Sequence, residues 1–183
     1  EHAVDLPNVE FIGFLAELYP DHPTLYLPLI EVQSLHGAWR TYQAGVHLAV
    51  LGHRLHPFYG TYVPSRTVHL ELFATWLAQY EGARGLAVDV GTGSGVLAFL
   101  LARAGVERII ATDSNPNAVH SVLLDRDRRH PPPPIEGRVG DLIAPVPDTA
   151  DLIVFNPPWT RGRPTSLVDQ ALVYPDGLFE RFF

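Results

Sequence analysis

The chain has no cysteine, no lysine and no methionine among its 183 residues. Without cysteine there are no disulfides, thiolate nucleophiles or cysteine-based zinc sites, which fits a reducing, cytoplasmic setting. Without lysine there is no Schiff-base chemistry and no lysine general base; all 13 basic residues are arginine. No apolar run approaches the roughly 18 residues a membrane span needs. Residues 1–5 have no basic stretch leading into an apolar one, so no signal peptide is read there. The chain starts without Met and reads as trimmed. Basic excess is missing too. A net charge of -7 disfavours a broad nucleic-acid footprint, and the cluster Arg126, Arg128, Arg129 reads as the solvated end of a helix.

The hydrophobic fraction, 46%, is enough for a packed core. Residues 1–45 read as helical and loop segments, with Phe11, Phe14, Leu15 and Leu18 at helical spacing. Pro20, Pro23 and Pro28 divide them into short pieces. Alternation at Val46, Leu48 and Val50, and the β-prone run Tyr59-Gly60-Thr61-Tyr62-Val63, predict a hairpin over 46–63. A helix is expected from Pro64-Ser65 to Tyr80, burying Val68, Leu72, Phe73 and Trp76.

From Leu86 strands and helices alternate. Strands are expected at 86–90, 108–112, 137–139 and 151–155, and helices at 95–104 and 115–128. The four prolines at 131–134 stop the second helix. Such alternation predicts an α/β fold, a largely parallel sheet with right-handed crossovers and helices on both faces. Residues 160–176 read as loop, and a helix starts near Asp176. Two parts are expected: an N-terminal helical segment and hairpin over 1–63, and a catalytic domain over 64–183. His53 and His56 read as hairpin residues, and no metal site is expected.

Two stretches carry chemistry. The first, Val88-Asp89-Val90-Gly91-Thr92-Gly93-Ser94-Gly95, joins a strand to a helix. Glycines there permit a tight turn and close approach of a ligand to the backbone, and the helix N-terminus turns N–H groups toward it. Asp113, 18 residues after Gly95, suits a carboxylate that holds ribose hydroxyls. The spacing is G-x-G-x-G, not the G-x-G-x-x-G of dinucleotide binders, which disfavours an NAD oxidoreductase. Asp89 just before it would repel a pyrophosphate but hold a cationic amino-acid group. The second stretch is Asn156-Pro157-Pro158-Trp159, after the apolar run Leu152-Ile153-Val154-Phe155.

These residues resemble the class I S-adenosylmethionine-dependent methyltransferases. The resemblance implies a Rossmann-like sheet and S-adenosyl-L-methionine as cofactor. It places Asp89, Gly91, Thr92, Gly93 and Gly95 in the cofactor turn and Asp113 at the ribose, with Ser114 and Asn115 in the loop that follows and Asn156 also among the cofactor-binding residues. Asp141 and Leu142 fall beside the adenine, and Asn156-Pro157-Pro158-Trp159 at motif IV. That motif is similar to those of amino- and amide-nitrogen methyltransferases, the release-factor glutamine enzymes and several rRNA and DNA enzymes among them. A planar nitrogen is a poor nucleophile because its lone pair is delocalised. The Asn156 oxygen and the Pro157 carbonyl would accept hydrogen bonds from its N–H groups as charge develops, Pro158 would stiffen the backbone, and Trp159 would stack on the acceptor. No general base is nominated.

The stretch 58–67 resembles the entry hairpin of the glutamine enzymes. It differs at Val68-His69, where an acidic residue is usual, and that bears on any role for Arg66 and Thr67. A protein acceptor, a release factor, is preferred; an rRNA or DNA base (guanine N2 or adenine N6) is the alternative, and a non-catalytic cofactor-binding module is the second. Family sheets continue beyond motif IV, so the chain is expected to be a fragment truncated at its C-terminus.

Overall fold

The computed structural model describes residues 11–22, 24–146, 149–166 and 168–183. The readings made for Pro23 and residues 1–5 lie outside these. The architecture is α/β. Its centre is a four-stranded parallel sheet of β3 (Leu86–Val90), β4 (Arg108–Asp113), β5 (Ile135–Val139) and β6 (Leu152–Phe155), in the order β5-β4-β3-β6. The first three strands step outward in one direction, and β6 lies on the opposite side of β3. The order therefore reverses between β3 and β6, and the carboxyl ends of those two strands flank the crevice where open α/β sheets bind ligands.

Strand alternation sorts the core into two faces. Ala87, Ile109, Ala111 and Val154 share one cluster with Leu70 and Leu77 of α3 (Val68–Ala78), with α4 (Val96–Arg103), and with Val122 of α5 (Pro116–Asp127). Val88, Val90 and Ile110 point the other way, with Leu142, Val146, Ala150, Phe155 and Phe182 against them. Phe182 comes from α6 (Leu178–Phe182), so helices lie on both faces as expected. Asn115 begins α5: its Oδ1 accepts the Asn117 N–H, and Pro116 occupies the first helical position.

The N-terminal part folds onto α5. Helix α1 (Phe14–Leu18) is short, whereas α2 (Leu29–Ala44) runs unbroken for 16 residues, because Pro28 stands just before its first turn instead of inside it. Phe14 packs edge-on against Trp39, Tyr42 and Phe58. The Phe58 N–H donates to Ser121 Oγ and the His56 N–H to Asp125 Oδ2, fastening this layer to α5. The hairpin is smaller than expected, β1 (Val46–Leu48) with β2 (His53–Leu55). Residues 59–63 form a turn and irregular backbone instead of a strand.

Three other expectations need correction. Helix α3 starts at Val68 and buries Leu70 and Leu77; Val68 is 68% exposed and Leu72 67%, with Trp76 also outside. It is apolar nearly all round, so spacing alone could not choose the face that meets α4. Residues 160–176 are not plain loop: β7 (Thr160–Arg161) pairs in parallel with β8 (Val173–Tyr174), across a 3-10 turn at Asp169–Ala171. The third core strand is five residues long, starting at Ile135 directly after the prolines. Arg126 and Arg128 do sit at the end of α5, and Arg128 donates to Asp125 and to the Tyr42 hydroxyl, so it ties layers together as well as facing water. No described helix is long and apolar enough to cross a membrane.

Candidate active site at the carboxyl ends of β3 and β6

The register places Val90 opposite Phe155. Gly91 and Asn156, the next residue on each strand, are therefore neighbours, although 65 positions separate them in the chain. A cavity of about 720 Å³ opens beside them, within the usual size of a small-ligand site. It is lined by Gly91, Thr92, Gly93, Asp113, Ser114, Asn115, Asp141, Leu142, Asn156, Pro157, Pro158 and Trp159. Of the residues expected at the site, Asp89 and Gly95 do not line it; both lie behind the turn.

Gly91, Gly93 and Gly95 all have positive φ, at 64°, 52° and 82°. A Cβ at Gly91 or Gly93 would meet nothing closer than 3.5 Å, so backbone conformation and an open cradle are what those positions require. At Gly95 a Cβ would lie 2.8 Å from Val122 Cγ2, because α4 and α5 close together there.

Asp89 is wholly buried under the turn. Its Oδ2 accepts the Thr92 hydroxyl at 2.7 Å and the Ala98 N–H at 3.0 Å. Burial raises its pKa to about 7, against those two hydrogen bonds and with the Asp113 charge adding to the rise. Among the described residues, Asp89 Oδ1 and Ser94 Oγ are buried without a hydrogen-bond partner. An orphaned carboxylate oxygen and an orphaned hydroxyl at a glycine cradle fit a ligand that carries a cationic group.

Asp113 ends β4. Its Oδ2 accepts the Gly93 N–H and its Oδ1 the Asn115 N–H, both at 2.9 Å. Burial lifts its carboxyl above the ordinary value, and the N–H groups of Asn115, Gly93 and Ser114 oppose that. Asn115 is used at both ends of its amide, since Nδ2 donates to the Gly60 carbonyl. Asp141 accepts Arg181 Nε at 3.2 Å, and Leu142 has φ 48° with its carbonyl accepting the Thr112 hydroxyl.

The Asn-Pro-Pro-Trp segment leaves β6 and is pinned by the N–H groups of Trp159 and Thr160, which donate to the Leu172 carbonyl. Trp159 is 61% exposed along the cavity. Its indole N–H donates to Asn156 Oδ1 at 3.3 Å, and Asn156 Nδ2 lies 3.4 Å from His69 Nε2.

Sequence reasoning missed a wall of the cavity. Gln170, Leu172, Tyr174, Pro175, Leu178 and Arg181 line it from the β7–β8 unit and α6. Leu178 and Arg181 share one side of α6 at three-residue spacing, the one pattern in that stretch. His69 and Arg66 line it from the start of α3; Thr67 instead bonds Glu71. His53 and His56 take structural places: His53 sits edge-on to Phe99 and His56 Nδ1 contacts the Tyr42 carbonyl. Among the described residues no group of three or more His, Cys, Asp or Glu is placed to hold a metal ion.

Residues 70–174, more than half of the chain, match the family described as Methyltransferase small domain. The chain belongs to that family. This methyltransferase small domain is 38% identical over 80 residues to the ribosomal protein L11 methyltransferase of Pelotomaculum thermopropionicum, across 44% of this chain and 26% of that protein. It is 35% identical over 107 residues to human Methyltransferase HEMK2, across 56% of this chain and 50% of that protein. It thus spans about a quarter to a half of the length of these relatives. The crystal structure of the hMettl16 catalytic domain in complex with MAT2A 3'UTR hairpin 1 shares the fold, with TM-score 0.50 and 16% identity over 83% of this chain and 56% of that one.

Proposed function

We propose that this domain is an S-adenosyl-L-methionine-dependent N-methyltransferase whose acceptor is a planar amide or amino nitrogen, a protein glutamine side chain of the release-factor kind. One observation carries the reading: the glycine cradle after β3 and the Asn-Pro-Pro-Trp segment after β6 are adjacent across the switch point. A cofactor seated on the first would meet an acceptor held by the second.

S-adenosyl-L-methionine, when bound, supplies a methyl group on a positively charged sulfur. Ser94 Oγ offers a polar atom for its amino-acid end, with the Asp89 carboxyl behind the turn supplying charge from below, Asp113 a carboxylate for ribose hydroxyls, and Asp141 and Leu142 the wall for the base. Asn156 Oδ1 and the Pro157 carbonyl would accept the acceptor's two N–H groups and favour positive charge as it develops on nitrogen. Trp159 would hold the planar group by its exposed face. The nitrogen's proton leaves after transfer, so positioning supplies most of the catalysis.

A protein acceptor is supported by the net charge of -7 and by relatives named for ribosomal protein L11. The test offers labelled cofactor to purified release factor and to ribosomal RNA side by side, with wild type and Asn156→Ala. Label on the release factor that is lost in the variant, with cofactor affinity kept, is expected. Label on RNA alone would overturn the protein acceptor, and no binding of cofactor by titration would overturn the whole reading.

A further inference from the structure

Asn156, Trp159 and His69 form a closed set of contacts at the mouth of the cavity. Trp159 Nε1 reaches Asn156 Oδ1 at 3.3 Å, Asn156 Nδ2 reaches His69 Nε2 at 3.4 Å, and the His69 and Trp159 rings meet edge-on at 5.6 Å between centroids. The chemistry of each group fixes the next. An indole nitrogen only donates, so the atom facing it on Asn156 must be the oxygen. The amide nitrogen then points at His69. An amide N–H can be met only by an acceptor, so a hydrogen bond across this contact uses the His69 tautomer with its ring proton on Nδ1. Leu70, the next residue on α3, is buried in the core and holds this part of the helix against the sheet.

We infer that His69 is a positioning residue for the acceptor-nitrogen clamp. It holds the Asn156 amide in the one orientation that presents Oδ1 as acceptor to the substrate side, acting through Asn156 and not on the reacting atoms. The inference rests on the proposed methyl transfer at Asn156, and it deepens that reading. The Trp159 indole N–H favours the same orientation from the Oδ1 end, and His69 adds the matching contact at Nδ2, so without His69 the amide is held from one end only. A rotated amide would offer an N–H where the incoming NH₂ needs an acceptor. Methionine, leucine or alanine at this position would leave the helix intact and the clamp held by Trp159 alone. Glutamine would restore an acceptor, because its Oε1 can receive the Asn156 N–H.

Two measurements on the whole chain test this. In ¹⁵N-labelled protein, the Asn156 side-chain NH₂ signals are assigned by their loss in N156A. They should shift strongly in H69A, return toward wild type in H69Q, and shift in W159F, which keeps the ring and loses the donor. In steady-state methyl transfer to release factor or to ribosomal RNA, whichever is labelled by wild type, H69A should lower kcat about tenfold with KM and cofactor affinity within about twofold. H69Q should recover to within about threefold of wild type. If N156A abolishes transfer while H69A transfers normally, the inference falls and the methyl-transfer reading stands. If neither acceptor is labelled, that reading falls, and the amide signals decide the inference alone: unchanged signals in H69A overturn it.

Discussion

The carboxylate of Asp113 accepts the backbone N–H of Gly93 at 2.9 Å, so the last residue of β4 holds the tip of the turn that follows β3. One side chain thereby shapes the cradle and presents its remaining lone pairs to the cavity it lines. Asp113→Ala should lose both contributions. Charge-assisted hydrogen bonds of this kind are worth about 1.5–3 kcal/mol. S-adenosylmethionine affinity should therefore fall by roughly ten- to a hundredfold by titration calorimetry, with the thermal midpoint also lowered. Asp113→Asn, whose single oxygen can still accept the Gly93 N–H but whose NH₂ would face the Asn115 N–H, should keep part of the stability and lose most of the affinity. Equal losses of affinity and stability in both variants would refute the division of roles.

The turn glycines separate a folding requirement from a binding requirement. Gly95→Ala adds a Cβ 2.8 Å from Val122 and 3.2 Å from Phe99 at φ 82°. Left-handed backbone costs about 1–2 kcal/mol for a non-glycine residue, and overpacking adds about 1–3 kcal/mol. Gly91→Ala has φ 64° and room for the methyl, so only the backbone term applies to stability. Urea denaturation should rank Gly95→Ala as the less stable of the two. Cofactor titration should show Gly91→Ala as impaired despite its fold, because Gly91 lines the cavity and Gly95 does not. The reverse ranking in urea would mean that α4 and α5 are not closely packed there.

Much of the site was legible because it is written in contiguous stretches. Leu86–Val90 and Leu152–Phe155 are short apolar runs, as strands of a covered parallel sheet must be. The glycines follow the first, and Asn156 follows the second. What joins them is strand order, and no local pattern encodes that β6 lies beside β3. The β7–β8 wall escaped notice because two-residue strands have no periodicity. His69 escaped because a single histidine in an apolar helix carries no spacing signal, and its role depends on Asn156 and Trp159, 87 and 90 positions later.

Helix α3 gives a direct test of the face the structure chooses. Leu70 is buried against the sheet and α4, whereas Leu72 lies mostly in water. Leu70→Ala should cost about 2–5 kcal/mol by denaturant unfolding. Leu72→Gln should stay within about 0.5 kcal/mol of wild type in the same measurement. A large loss for Leu72→Gln with little effect of Leu70→Ala would restore the face of Val68, Leu72 and Trp76 that was expected from the sequence.

Asp89 couples the cofactor site to pH. Its pKa in the fold is about 7, above the ordinary carboxyl value of 3.8, chiefly because it is buried. The folded state therefore keeps a proton that the unfolded chain releases. This contribution to stability is full below about pH 4, declines as pH rises, and is gone above about 7, at up to roughly 1.4 kcal/mol per pH unit within that window. Binding of a cationic group on the turn above Asp89 has the opposite sign, because the ionised form attracts it. Cofactor affinity should rise as pH increases from 6 to 8, by up to about tenfold, with proton release on binding near pH 7. Calorimetry in buffers of different ionisation enthalpy measures that release. Asp89→Asn should bind weakly and show neither the pH slope nor the released proton. A wild-type affinity that is flat from pH 6 to 8 would mean that Asp89 does not meet the cofactor's charge.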